Sequence, residues 1–270
     1  MIDVHCHLNF HSFTKDYDEL IHKAHADGVE IIINAGTKID SSATAFALAQ
    51  QYNHLYAIAG VHPHHADKHE LDSNWLEELE QLALQPKVVA IGEIGMDYYR
   101  YQSNGIVDVK LQKEIFEKQI VLAHKVGLPL QIHNRHAGKD VIEILRHHKN
   151  LLLRDKPPGM FHCFAGDKEF LKNALDLGFY IGFDGNITYK GLAPGETVSL
   201  TDLAKATPLE RIVTETDAPF LTPEPHRGSR NIPSHVILVG KALSKIKGVS
   251  FGEINKITKE NAKRLFNIKN

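Results

Sequence analysis

The chain is poor in the residues that mark several large protein classes. Cys6 and Cys163 are its only cysteines, too few for a disulfide framework, which points to a reducing compartment. No run of about 20 apolar residues occurs, so no helical membrane span is expected. The start carries neither a basic n-region nor an apolar h-region, and Ile2-Asp3-Val4-His5 follows Met1 directly. A cytoplasmic protein is the expectation. Excess charge is missing too: 31 Lys and Arg face 33 Asp and Glu, a net of −2. A protein that coats long duplex DNA is basic. Any nucleic-acid substrate is therefore expected to be held by local contacts near its reacting end. No Gly-x-Gly-x-x-Gly and no P-loop follow the first apolar run, which disfavours an open, doubly wound nucleotide-binding sheet. The single tryptophan, Trp75, falls in a helical pattern and reads as packing. No assembly signature is evident, so no obligate protein partner is expected.

Against these shortages stand a 43% hydrophobic content and 18 histidines. The first is enough for the core of a barrel of about 250 residues. Short β-rich apolar runs alternate with longer helical patterns. Strands are expected at Ile2–His5, Glu30–Ala35, Leu55–Val61, Val88–Ile94, Leu128–His133, Gly159–Phe164, Phe179–Phe183 and Arg211–Thr216. Helices are expected at Tyr17–Ala26, Ser41–Tyr52, Ser73–Leu84, Val109–Val126, Gly138–His147, Lys168–Leu177, Leu200–Ala206, Ser234–Lys245 and Gly252–Phe266. Gly28, Gly127 and Gly178 stand just past helix ends, where a left-handed cap is wanted. Asp40 or Ser41, and Asp72 or Ser73, stand where N-caps belong. Alternating strands and helices imply parallel pairing through right-handed crossovers. Eight such units predict an α/β fold, a single-domain (β/α)₈ TIM barrel. The irregular stretches 184–199 and 219–233 follow strands and so belong to the active-site end.

The histidines fall in a pattern. His5 and His7 flank Cys6 at the end of the first strand, and residues i and i+2 of a strand face the same way. Both imidazoles then reach one ion in the barrel mouth, while Cys6 points toward the helices. Taken alone, such a pair is equally well two surface residues. The other strand ends change that. The third leads to His62 and the fourth into Gly92-Glu93-Ile94-Gly95. The fifth ends in His133-Asn134-Arg135, the sixth in His162-Cys163, and the eighth in Glu215-Thr216-Asp217. Ligand types thus gather where a TIM barrel builds its active site. Imidazole and carboxylate suit Zn²⁺, Mn²⁺, Fe²⁺ or Ni²⁺, whereas Mg²⁺ prefers oxygen shells. His5, His7, Glu93, His133, His162 and Asp217 are more ligands than one catalytic zinc needs. The surplus points to two divalent ions bridged by Glu93, whose neighbouring glycines permit close approach. His5, His7 and Asp217 complete one shell, His133 and His162 the other. Paired ions acidify a water and clamp a phosphoryl group. Cys163 is expected to alternate to the opposite, buried face, and His62 reads as a phosphate or substrate contact, the alternative being a structural turn residue. Arg135, Arg227 and Arg230 read either as phosphate ligands or as surface salt bridges. Glu215 either orients the site or pairs with a nearby cation.

These segments resemble the TatD family of metal-dependent deoxyribonucleases, which are amidohydrolase-like barrels. The resemblance rests on Asp3-Val4-His5-Cys6-His7-Leu8, Gly60-Val61-His62-Pro63-His64, and AIGEIGMDYYR from Ala90. It continues through LPLQIHNRHAGKD from Leu128, FHCFAG from Phe161 and TETDAPFLTPEPHRGSRNIPSHV from Thr214. The motifs keep the family's order and span nearly the whole chain. The resemblance implies metal-dependent removal of nucleotides from the 3′ end of DNA, and the same six ligands. Asp217 and Glu93 are then the catalytic carboxylates, with Asp217 as general base, and His62 and Arg230 face the substrate. It adds Mg²⁺ to the Mn²⁺, Zn²⁺ or Ni²⁺ that the ligands favour. Met96 and Ile232 depart from the family's usual residues, and Tyr189–Ser199 reads as an elaborated loop. The leading expectation is a 3′–5′ exodeoxyribonuclease acting on single-stranded or frayed ends, with His62, Arg135 and Arg230 on the phosphates. The alternative is hydrolysis of a small-molecule amide, ester, lactone or phosphoester on the same site, since fold does not fix function.

Overall fold

A strand covered by helices outside and by side chains inside has no solvent face, so its sequence is apolar along its length. Ile31–Ala35 is such a run, and it is buried throughout. The computed structural model describes residues 1–67, 73–102, 105–153, 155–192 and 195–269. Among these residues eight strands form one sheet: β1 Ile2–Cys6, β2 Ile31–Ala35, β3 Leu55–Ala59, β4 Val88–Asp97, β5 Leu130–Arg135, β6 Gly159–Phe161, β7 Tyr180–Phe183 and β8 Ile212–Thr214. Neighbours in the sheet are neighbours in sequence, and every pair is parallel. The helices are α1 Tyr17–Ala26, α2 Ile39–Gln51, α3 Trp75–Ala83, α4 Val109–Val126, α5 Gly138–His147, α6 Lys168–Asp176, α7 Leu200–Ala206, α8 Val236–Lys247 and α9 Phe251–Phe266. This is the expected TIM barrel. No helix among the described residues is long and apolar enough to cross a membrane.

Buried side chains form two clusters. The smaller, with Ile2, Val4, Ile33, Ile58, Met160 and Val213, fills the barrel. The larger, with Cys6, Ile32, Ala57, Ile91, Ile132 and Phe161, joins strands to helices. Cys6 therefore faces outward as expected.

The seam where β8 returns to β1 also carries the site. The Thr214 hydroxyl donates to the Ile2 carbonyl (2.9 Å). Beyond β8, Asp217 N–H donates to the His5 carbonyl and His7 N–H to the Ala218 carbonyl (2.9 and 2.8 Å). The fully buried Asp3 carboxylate accepts from the Thr216 amide and hydroxyl (2.9 and 2.6 Å). Burial pushes the Asp3 pKa well above the carboxylate range against those two bonds.

Some boundaries differ from the sequence reading. β4 runs three residues past Ile94, to Asp97. β6 stops at Phe161, leaving His162 and Cys163 outside the strand. Lys38 is the N-cap residue of α2, not Asp40 or Ser41. The Ser41 hydroxyl instead reaches back to accept from the amides of Thr37 and Lys38 (2.8 and 3.0 Å). The helix α3 follows Asn74, and Asp72 lies outside the described residues. Gly28, Gly127 and Gly178 all have the left-handed φ that a cap requires, +97°, +72° and +89°.

The glycines around Glu93 let β4 and β5 touch. A Cβ on Gly95, whose φ is +143°, would lie 2.0 Å from the His133 carbonyl oxygen. We expect Gly95→Ala to destabilise the fold by about 3 kcal/mol. Gly28→Ala, which meets no neighbour within 4 Å, should cost about 1 kcal/mol from backbone strain alone. Denaturant unfolding of the two variants checks the order.

Candidate metal centre

Strand ends deliver the donors to one point. His5 Nε2 and His7 Nε2 lie 3.0 Å apart. Asp217 Oδ1 is 3.6 and 3.4 Å from them, and Glu93 Oε2 is 3.7 and 3.8 Å away. The other Glu93 oxygen, Oε1, faces His133 Nδ1 at 2.8 Å, His62 Nε2 at 3.5 Å and His162 Nε2 at 3.7 Å. His162 Nε2 is also 3.9 Å from Asp217 Oδ1. All six ligands read from the sequence are brought together, with Glu93 between two groups of histidines. Asp217 holds its carboxylate there from a left-handed backbone, φ +54°, which Asp tolerates better than most residues.

Outer partners aim these rings. His5 Nδ1 donates to Gln131 Oε1 (2.6 Å), whose amide nitrogen is anchored on the Val4 carbonyl (3.0 Å). His7 Nδ1 donates to the Ala35 carbonyl (2.9 Å). His162 Nδ1 faces Glu215 Oε2 (3.1 Å). The bonds of His5 and His7 assign the proton to Nδ1 and leave the Nε2 lone pair pointing into the cluster. Lone pairs and carboxylate oxygens thus converge, and positive charge, carried by added ring protons or by a cation, relieves their repulsion. The donor set fits divalent cations. His5, His7 and Asp217 with one Glu93 oxygen would hold one cation, and His133 and His162 with the other oxygen a second.

Three residues of this arrangement were not assigned from the sequence, or were assigned wrongly. Asp97, at the extended end of β4, lies 3.1 Å from His133 Nε2, so it orients that ring; its place in AIGEIGMDYYR was the available signal. Gln131 was hidden as one polar residue inside an apolar strand. Cys163 does not alternate to the far face. Its φ of +44° breaks the alternation, and its thiol lies within 4.8 Å of ligand atoms of His162 and Asp217. Of the two readings of Glu215, the orienting one holds: the residue is fully buried, and its other oxygen accepts from Cys163 N–H (2.6 Å).

The rings differ in charge. Burial, and repulsion from His133, hold His62 down to about 3. Its Nδ1 accepts from His64 N–H (3.0 Å), so Nε2 carries the proton and is presented as a neutral donor. Burial also lowers His133, but hydrogen bonds to Asp97 and Glu93 outweigh it and raise the ring to about 9. His162 rises to about 10 in the same way, through Glu215. Burial opposes ionisation of Asp97, yet its bonds from His133 and Tyr101 bring it to about 2.

The arginines part ways. Arg135, at the end of β5, lies 3.7 Å from the Tyr99 ring centroid and donates to the Tyr101 hydroxyl (3.4 Å), which in turn donates to Asp97 (2.6 Å). Arg230 is not brought to the cluster. It pairs with Asp16, donates to the Ser12 carbonyl and covers the Phe13 ring. Arg227 covers the Tyr189 ring at 4.1 Å. In the stretch 189–199, residues 193 and 194 lie outside the described residues.

Without a cation, His133 and His162 hold protons at pH 7, and a cation must displace them. Metal affinity should therefore rise with pH, by about tenfold per unit for each proton displaced below these pKa values. Titration with Zn²⁺ or Mn²⁺ between about pH 6 and 8 checks the slope; an affinity independent of pH would contradict it. Glu93→Ala should lose bound metal by elemental analysis while remaining folded.

Comparisons with known proteins assign the chain to a family. A family profile described as TatD related DNase matches residues 2–267. An uncharacterized metal-dependent hydrolase of Bacillus subtilis, YabD, is 40% identical over 270 residues, spanning 99% of both chains. The 3′–5′ ssDNA/RNA exonuclease TatD of Citrobacter rodentium is 34% identical over 274 residues, 99% of this chain and 98% of its own. The crystal structure of YjjV, a TatD homolog from Escherichia coli, matches with a TM-score of 0.87 and 30% identity, covering 100% of this chain and 98% of that one. The matches span every strand end that carries a donor, and the chain belongs to the TatD-related DNase family.

Proposed function

We propose that this metal-dependent hydrolase of the TatD family is a cytoplasmic 3′–5′ exodeoxyribonuclease. It takes two divalent cations, Mg²⁺, Mn²⁺, Zn²⁺ or Ni²⁺, and acts on single-stranded or frayed DNA ends. One observation carries the reading: Glu93 turns one oxygen to His5 and His7 and the other to His133 and His162, as a carboxylate between two cations would. The relative named as a 3′–5′ exonuclease supports the substrate class. The free state of both cysteines fits the compartment.

The cations, when bound, supply charge that acidifies a water and neutralises phosphoryl oxygens. Asp217 receives the proton of the attacking water. Its side chain is the more exposed of the two central carboxylates, 13% against 6% for Glu93. His62 donates an Nε2–H hydrogen bond to a phosphoryl oxygen and stays neutral throughout. Arg135 offers its guanidinium to the next phosphate. Arg230 reaches a phosphate only by leaving Asp16, so the phosphate contacts fall first to His62 and Arg135. Small-molecule hydrolysis calls for a closed, largely apolar pocket. The groove beside the donors is instead open and mixed in polarity, lined by Lys38, Asp40, Ser41 and Phe220.

Digestion of 3′-labelled single-stranded DNA with Mg²⁺ or Mn²⁺ tests the reading. Release of the label should vanish with chelator, and Asp217→Asn should lower kcat by roughly 10²-fold or more. His62→Ala should lower kcat by about 10²-fold with metal content kept. A metal-loaded protein inert on DNA and RNA would overturn the nuclease reading in favour of a small-molecule substrate.

A further inference from the structure

Among the described residues with large exposed apolar side chains, only Tyr99 and Phe220 are aromatic. Both belong to loops that flank the donor cluster. Tyr99 is covered, since the Arg135 guanidinium lies over its ring. Phe220 is 52% exposed. Its ring meets His7 and Phe10 at steep angles, 69° and 74°, with centroids 6.3 Å away in both cases. Neither contact is a parallel stack, so Phe220 keeps ring surface open to solvent. Phe10 lies flat on His7 at 4.3 Å. Both phenyl rings therefore adjoin a residue of the metal centre.

Phe10 and Phe220 line an open groove of about 750 Å³ between the loops that follow β1, β2, β3 and β8. Thr37, Lys38 and Ser41 contribute polar groups to its wall. Lys38 is paired with Asp40, also in the wall, at 3.2 Å. The groove therefore offers an aromatic surface with hydrogen-bonding edges and little net charge. That chemistry suits a flat heterocycle with polar edges better than a phosphate.

We propose that this groove is a nucleobase subsite, in which an unpaired base next to the scissile phosphodiester stacks on Phe220. The inference rests on the exodeoxyribonuclease reading and deepens it. A base inside a duplex has both faces covered by its neighbours and its polar edge paired, so an unpaired base reaches Phe220 more readily. Selection for single-stranded ends then resides in this ring, not in a basic channel. Because any base offers a π-face, stacking is tolerant of sequence.

The test compares wild type, Phe220→Ala and Phe220→Trp on a 3′-labelled single-stranded oligonucleotide. A matched series carries one abasic tetrahydrofuran residue at each of the last three positions in turn. Phe220→Ala should raise KM by about tenfold on the natural strand, and Phe220→Trp should restore it. At one position the abasic residue should raise the wild-type KM by a similar factor and add little to the Phe220→Ala defect, a coupling that a purely structural role would not produce. Wild-type cleavage with KM unmoved by Phe220→Ala, or with the two defects multiplying at every position, overturns the subsite alone. A wild type that cleaves none of the oligonucleotides removes the exonuclease reading, and the subsite with it.

Discussion

Everything at the mouth of the barrel answers to one electrostatic constraint: atoms that accept protons are crowded together away from water. His5 and His7 present nitrogens 3.0 Å apart, and two carboxylates close the same space. Left to themselves such groups repel, and burial deprives them of the solvent that would soften the repulsion. The surrounding protein holds them in place regardless. Gln131, the Ala35 carbonyl and Glu215 each engage the outer nitrogen of a ring. Asp97 does the same for His133 from its opposite nitrogen. Part of the stability of the fold is thereby converted into a site already arranged for cations before they arrive.

The outer partners also bear on which cation is taken. Glu215 and Asp97 make the rings they touch more basic, and a more basic imidazole is a stronger ligand for borderline metals. The four imidazoles of the cluster favour transition metals on affinity, whereas the two central carboxylates leave room for Mg²⁺.

How much of this could be read from residues alone depended on the range of the interaction. Strand-and-helix alternation is local, and it led to the barrel and its strand order. The donors at strand ends were legible because a barrel sends all of those ends to one face. What stayed hidden were interactions between strands far apart in sequence. Asp97 reaches His133 across 36 residues and Gln131 reaches His5 across 126. No local periodicity marks either pairing, and only the motif that contains Asp97 hints at a role for it. Cys163 misled because alternation holds only while the backbone is extended, and its φ of +44° is not. Arg230 was legible as a cation at the right end of the barrel, but not as one already matched by Asp16.

The seam between the first and last strands has a consequence for how the protein is made. His5 and His7 leave the ribosome some two hundred residues before Asp217 and Thr216, since Thr216 lies 213 residues from its partner Asp3. A nascent chain therefore holds most of the ligands but not the carboxylate assigned to take the proton from water. The proposed activity stays latent until the barrel closes, so an unfinished chain cannot digest nucleic acid in its surroundings. Closure of the barrel is thus the step that completes the site.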